Sequence, residues 1–156
     1  MGNATDRLKA ATARIEEARK EAATVAKEAF SEMVAEIFKI HANLAAFRWQ
    51  QYTPYFNDGD ACVFSANIDS CYIDVKEVGC DEWMDGDQVS TTRDWSTKPY
   101  RDLNVSELHP LHFAQKMASE ALNAVGDEQL QAIFGDHMQI TAHRDGTVDV
   151  DEYSHD

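Results

Sequence analysis

At 156 residues the chain can bury one real core and is too short for two comfortable domains. Hydrophobic residues make up 44% of it, which excludes wholesale disorder. A formal net charge of −14 opposes direct binding to nucleic acid or an anionic membrane, and favours basic protein partners or divalent cations.

No apolar run approaches the roughly 20 residues of a transmembrane helix. Met1–Asp6 does not read as a signal peptide, and Cys62, Cys71 and Cys80 are an odd number with no secretory context. Reduced, partly buried thiols in a cytoplasmic protein are expected.

From Thr5 to about Phe47 there is no Pro or Gly, and Ala, Glu and Lys abound, so one long helix is predicted. Leu8, Ala11, Ile15, Ala18, Ala22, Val25 and Ala29 recur at alternating spacings of three and four, the seam of a coiled coil. Beyond Ala29 the spacing shifts, and bulkier residues (Phe30, Met33, Val34, Ile37, Phe38, Ile40, Leu44, Phe47) form a broad face suited to a core. Residues 1–29 are therefore expected to project or pair with another copy, as a homo-oligomer, and residues 30–156 to form an acidic globular domain. Incidental alanine spacing on a solvated helix is the plainer alternative. Charge divides between the predicted helix and the remainder. Residues 5–48 hold eight basic and seven acidic side chains, a net of +1, which leaves −15 for the rest.

An aromatic stretch, Trp49–Phe56, follows, then turn chemistry at Asn57-Asp58-Gly59-Asp60. Ala61–Ala66 and Cys71–Lys76 read as a hairpin around Asn67-Ile68-Asp69-Ser70, with Phe64 opposite Ile73 and Cys62 opposite Val75. That register buries Cys62 and Cys71 on one face without opposing them, which argues against a bond between them. Gly79–Asn104 is irregular by pattern. Val105–Val125 reads as a helix capped by Asn104 or Ser106, with Pro110 near its first turn. Gly126 breaks it, and Asp127–Phe134 forms a second short helix ended by Gly135. In the last hairpin, a three-residue loop with Gly146 in the left-handed region pairs Ala142 with Val148 and Ile140 with Val150. The inner face is then Met138, Ile140, Ala142, Val148 and Val150; the outer is His137, Gln139, Thr141, His143, Asp149, Asp151 and Tyr153. The predicted class is α+β: a long N-terminal helix, two hairpins in an antiparallel sheet and two shorter helices on one face.

Chemistry-bearing motifs are sparse. Cys80–Asp87 fails as a calcium loop, since Trp83 and Thr92 stand where ligands belong. His109 and His112 could bind zinc with Cys80, His137 or His143, but no ligand-pair spacing supports this. No nucleophile elbow and no phosphate-cradling loop is present. An enzyme is not expected, nor is a cofactor or metal. Two surfaces remain as candidates. One is acidic: Asp58, Asp60, Asp81, Glu82, Asp85, Asp87, Asp149, Asp151 and Glu152. The other is an aromatic contact patch of Tyr52, Tyr55, Trp83 and Trp95, whose plainer reading is a seal over the core.

The stretch Gln51–Asp60, the strand at Cys62–Phe64, Phe134-Gly135-Asp136-His137, Arg144-Asp145-Gly146 and Glu152-Tyr153 resemble small uncharacterised acidic proteins encoded by bacteriophages. The resemblance implies a bacterial cytoplasm and assigns no functional residue. The expected function is a small acidic interaction module that binds a basic or nucleic-acid-handling protein, with mimicry of nucleic-acid charge as its sharpest form. A self-assembling structural protein and a metal-dependent enzyme or small-ligand binder are the alternatives.

Overall fold

In the computed structural model the helix-forming chemistry of the first forty residues becomes α1 (Gly2–Ile40), 39 residues and about 58 Å long at 1.5 Å per residue. The structure describes residues 2–42, 44–56, 58–75, 83–84, 92–94, 96, 98–108 and 111–154; for 67–75, 83–84 and 107 it describes the backbone alone. The chain continues through β1 (Leu44–Tyr52), β2 (Ser65–Val75), β3 (Trp83–Met84), β4 (Arg93–Asp94), β5 (Arg101–Asp102) and a 3₁₀ turn at Val105–Glu107. Then come α2 (His112–Val125), α3 (Asp127–Phe134), β6 (Met138–His143) and β7 (Val148–Glu152). The fold is α+β. One antiparallel sheet runs β3-β2-β1-β6-β7, and β4 and β5 form a separate two-stranded ribbon.

The helix stops earlier than its composition predicts. Leu44, Phe47 and Arg48 are not its last turns but the start of β1, the central strand. A different period rules there: Phe47, Trp49 and Gln51 are buried, while Arg48, Gln50 and Tyr52 alternate with them at partial exposure. Arg144, in the β6–β7 turn, secures the corner. Its guanidinium donates to the carbonyls of Phe38 (2.7 Å), Leu44 (2.8 Å) and His41, and lies over the Phe38 ring. The Phe38 carbonyl, one of those in the last turn of α1, thereby gains a donor, and the chain between the helix and β1 is held to the same guanidinium.

The first hairpin differs too. Asn67–Ser70 is not a turn but the middle of the continuous strand β2, which pairs with β1 through Ile73 opposite Phe47 and Val75 opposite Leu44. The predicted partners Phe64 and Cys62 lie before the strand; Phe64 is buried, whereas Cys62 is exposed and unbonded rather than part of a buried face. The β-forming residues on both sides of 67–70 outweigh its turn chemistry once β1 supplies hydrogen-bond partners along β2.

The last hairpin has the predicted register, Ala142 opposite Val148 and Ile140 opposite Val150. Its faces are only partly as expected. Ile140 and Ala142 are fully buried, but Val148 and Val150 are 40% and 46% exposed. They line a groove of about 220 Å³ with Lys27, Phe30, Ser31, Ile133 and Phe134, beside the edge strand. Thr141, predicted on the solvent face, is only 3% exposed and accepts a hydrogen bond from Arg48 Nε.

α2 begins at His112, not Val105. Leu111 stands at its N-cap without a side-chain cap bond, so Asn104 and Ser106 do not start it. Gly126 and Gly135 end α2 and α3 as predicted, at φ of 85° and 92°. Beneath the helices the core joins Phe30, Val34, Ile37 and Phe38 of α1 to Phe47 and Trp49, Leu122, Leu130 and Ile140. Phe30, Trp49 and Phe134 form an edge-to-face triangle with centroids 5.5–5.6 Å apart.

Candidate functional site

Two surfaces hold most of the candidate residues that the structure describes. The first is the amino-terminal part of α1. Its core contacts start at Phe30; before that only Ala23 and Ala26 are even half-buried. Every seam residue (Leu8, Ala11, Ile15, Ala18, Ala22, Val25, Ala29) is exposed, with Leu8 at 68%, Ile15 at 56% and Val25 at 58%. Three large aliphatic side chains held in water on one helical stripe forgo the burial that normally stabilises such a helix. Thr12, Thr24 and Ser31 return their hydroxyls to carbonyls four residues back, which keeps these polar groups within the helix surface.

The second surface is one end of the large sheet. Gln51 lies opposite Met138, and Met138 opposite Glu152, so the exit of β1, the start of β6 and the end of β7 come together. The loop of residues 53–64 leaves and re-enters the sheet there, because Tyr52 pairs with Ser65. Asp136 ties that loop down. Its carboxylate accepts from Thr53 N–H (2.8 Å), Thr53 Oγ1 (2.6 Å) and His137 N–H (2.8 Å). Partial burial acts to raise the Asp136 pKa, but the Thr53 and His137 bonds outweigh it and hold the group below the usual carboxylate range. His137 adopts a left-handed backbone, φ 55°, and its carbonyl accepts from the Tyr153 N–H at 2.8 Å. Its ring stacks on Tyr55 at 4.8 Å, and Tyr52 packs against Tyr153 at 5.6 Å.

Of the predicted acidic residues, Asp58, Asp60, Asp151 and Glu152 belong to this end and are exposed. Asp149 sits further along β7, where it bonds His143 Nε2 at 2.7 Å. Asp81, Glu82, Asp85 and Asp87 lie outside the described residues. The aromatic patch divides. Tyr52 and Tyr55 share the end just described, and Phe56 beside them is 77% exposed. The backbone of Trp83 is instead placed opposite Asp74, itself opposite Ala46, six residues from Tyr52 along β1 or roughly 20 Å. Trp95 lies outside the described residues, as do His109 and Cys80. Among the described residues no three His, Cys, Asp or Glu side chains converge as metal ligands, and no helix is long and apolar enough to cross a membrane.

Sequence reasoning assigned no role to Asp136, Thr53 and Arg144. Their roles rest on contacts 83 and more positions apart in the chain, and nothing in their local context signals them. Comparison of the chain with known protein families, curated proteins and solved structures finds no match in any of the three.

Proposed function

We propose that this chain is a self-associating acidic interaction module. The first part of α1 joins copies of it, and the sheet end with Asp58, Asp60, Asp151, Glu152, Tyr52 and Tyr55 meets a basic protein partner. The observation that carries the reading is the uncovered aliphatic stripe of Leu8, Ile15 and Val25 on a helix otherwise anchored by Phe30, Val34, Ile37 and Phe38. Burial of such a stripe against a second helix supplies what the helix lacks alone. The test is light scattering after size exclusion over a hundredfold concentration range. The wild type is expected to exceed the monomer mass, and Leu8→Glu/Ile15→Glu to fall to it. A wild type that stays monomeric throughout would overturn the reading.

A second reading concerns the partner. Asp149 and Asp151 stand two residues apart on one face of the exposed edge strand β7, a repeat of about 6.8 Å. With the acidic loop beside them they support nucleic-acid charge mimicry toward a DNA-handling protein. The resemblance to phage-encoded proteins puts the search in a bacterial cytoplasm. The partner captured from bacterial lysate should be released by salt and displaced by duplex DNA; indifference to DNA would refute the mimicry.

A further inference from the structure

The direction in which two α1 helices pair follows from the charges beside the seam; this inference rests on the self-association proposed above. The seam has two alternating core positions. Leu8, Ile15, Ala22 and Ala29 occupy one, and Ala11, Ala18 and Val25 the other. Arg7, Arg14, Glu21 and Glu28 each stand one residue before the first set, on one flank of the stripe. Thr12, Arg19 and Ala26 each stand one residue after the second set, on the other flank. All seven flanking residues lie within α1, and all but the half-buried Ala26 are exposed. Among the described residues none of the four charged residues on the first flank forms an ion pair within the chain.

In a parallel pair, a residue of the first flank meets the residue five positions later on its partner's second flank. That opposes Arg14 to Arg19 of the second copy, twice by symmetry, while Arg7 meets Thr12 and Glu21 meets Ala26. The parallel arrangement thus has like-charge contacts and no attractive ones. In an antiparallel pair the first flank meets itself. With Leu8 layered on Val25 of the second copy and Ile15 on Ala18, Arg7 meets Glu28 and Arg14 meets Glu21, each twice. The second flank then brings Arg19 to Thr12, with no like charges opposed. One register satisfies the aliphatic layers and all the flanking charges together.

The heads add a second, independent argument. The sequence outside residues 5–48 carries −15 per copy. A parallel pair places two such heads side by side where the core begins at Phe30. An antiparallel pair puts them at opposite ends of about 26 helical residues, roughly 39 Å apart, several times the ~8 Å screening length at physiological salt.

We propose that two copies of this chain pair antiparallel through residues 4–29 of α1, so that the dimer carries an acidic head at each end. The test uses the full chain and sedimentation equilibrium. Arg14→Glu turns both Arg14–Glu21 contacts from attraction to repulsion, and is expected to weaken the dimer by about tenfold. Arg14→Glu/Glu21→Arg restores the attraction and should recover affinity to within about threefold of the wild type. Because the double variant keeps the same substitution at position 14, its recovery separates the pairing from any local effect on the helix. A parallel dimer gives the opposite sign, since Arg14→Glu then faces Arg19 and tightens binding. Tightening, or no change, would overturn the antiparallel arrangement while leaving self-association standing. A wild type that never dimerises would instead overturn the underlying reading.

Discussion

Gln51 is the most consequential polar side chain in the core. It sits on the central strand, fully buried, among Trp49, Leu130 and Gly135. Its orientation is set by its partners. The Trp49 indole N–H can only donate, so Oε1 turns to it at 3.1 Å. Nε2 then donates to the carbonyls of Leu130 (3.0 Å) and Gly135 (2.6 Å), pinning both ends of the α3 C-terminal turn to β1. In Gln51→Leu three bonds disappear, each costing about 1–2 kcal/mol when a buried group loses its partner. The added apolar burial returns about 2 kcal/mol, so a net loss of about 3 kcal/mol is expected. That is a large share of the ~5–15 kcal/mol that a domain of this size holds. Urea denaturation followed by tryptophan fluorescence would measure it, with Trp49 as an internal reporter. Gln51→Glu sharpens the argument, because an ionised carboxylate cannot donate to two carbonyls. Burial raises its pKa in the folded state above the unfolded value. The folded state then binds more protons between the two values, so this variant should be more stable at pH 5 than at pH 8. A Gln51→Leu loss below about 1 kcal/mol, or a Gln51→Glu variant whose stability does not fall as pH rises, would refute the assigned network.

Arg144→Ala removes the guanidinium that holds the carbonyls of Phe38, His41 and Leu44, and should cost about 2 kcal/mol by thermal or urea unfolding, discounted for its exposure. Arg144→Lys should recover less than half of that, because an ammonium cannot reproduce the fork. Asp136 predicts a pH dependence. Its folded pKa is depressed, so its contribution is present above the unfolded carboxylate value and is lost as pH falls through the folded one. Asp136→Asn should therefore be less stable than the wild type at pH 7, by about 1–2 kcal/mol. The difference should shrink on acidification, which parallel urea titrations at pH 7 and pH 3 would show.

Several features could be read directly from the residues because local chemistry alone decides them. The α1 seam, without Pro or Gly and rich in Ala, Glu and Lys, has the local propensity of a helix, and Gly126 and Gly135 stop helices because their positive φ suits no side chain well. The register of the last hairpin follows from matching Ile140 and Ala142 to valines across a short loop. Asp58 and Asp60 in a turn were also legible as exposed charge.

Other features depended on partners distant in the chain. Leu44–Tyr52 carries alanines and a leucine at helical spacing, and only the strands on both sides of it, β2 and β6, make an extended conformation win. Its period-two alternation was masked by Gln51, which looks like a surface residue until Leu130 and Gly135 satisfy its amide. The same pairing turns Asn67–Ser70 from a turn into strand, since β1 offers a continuous ladder that a local loop cannot match. The acidic and aromatic candidates were compositional, and their grouping was a tertiary matter. The sheet brings Tyr52, Tyr55, Asp151 and Glu152 to one end and carries the backbone of Trp83 to the other. Residue identity determined where charge and helix lie; hydrogen-bond partners far apart in sequence decided which segments became sheet and which side chains share a surface.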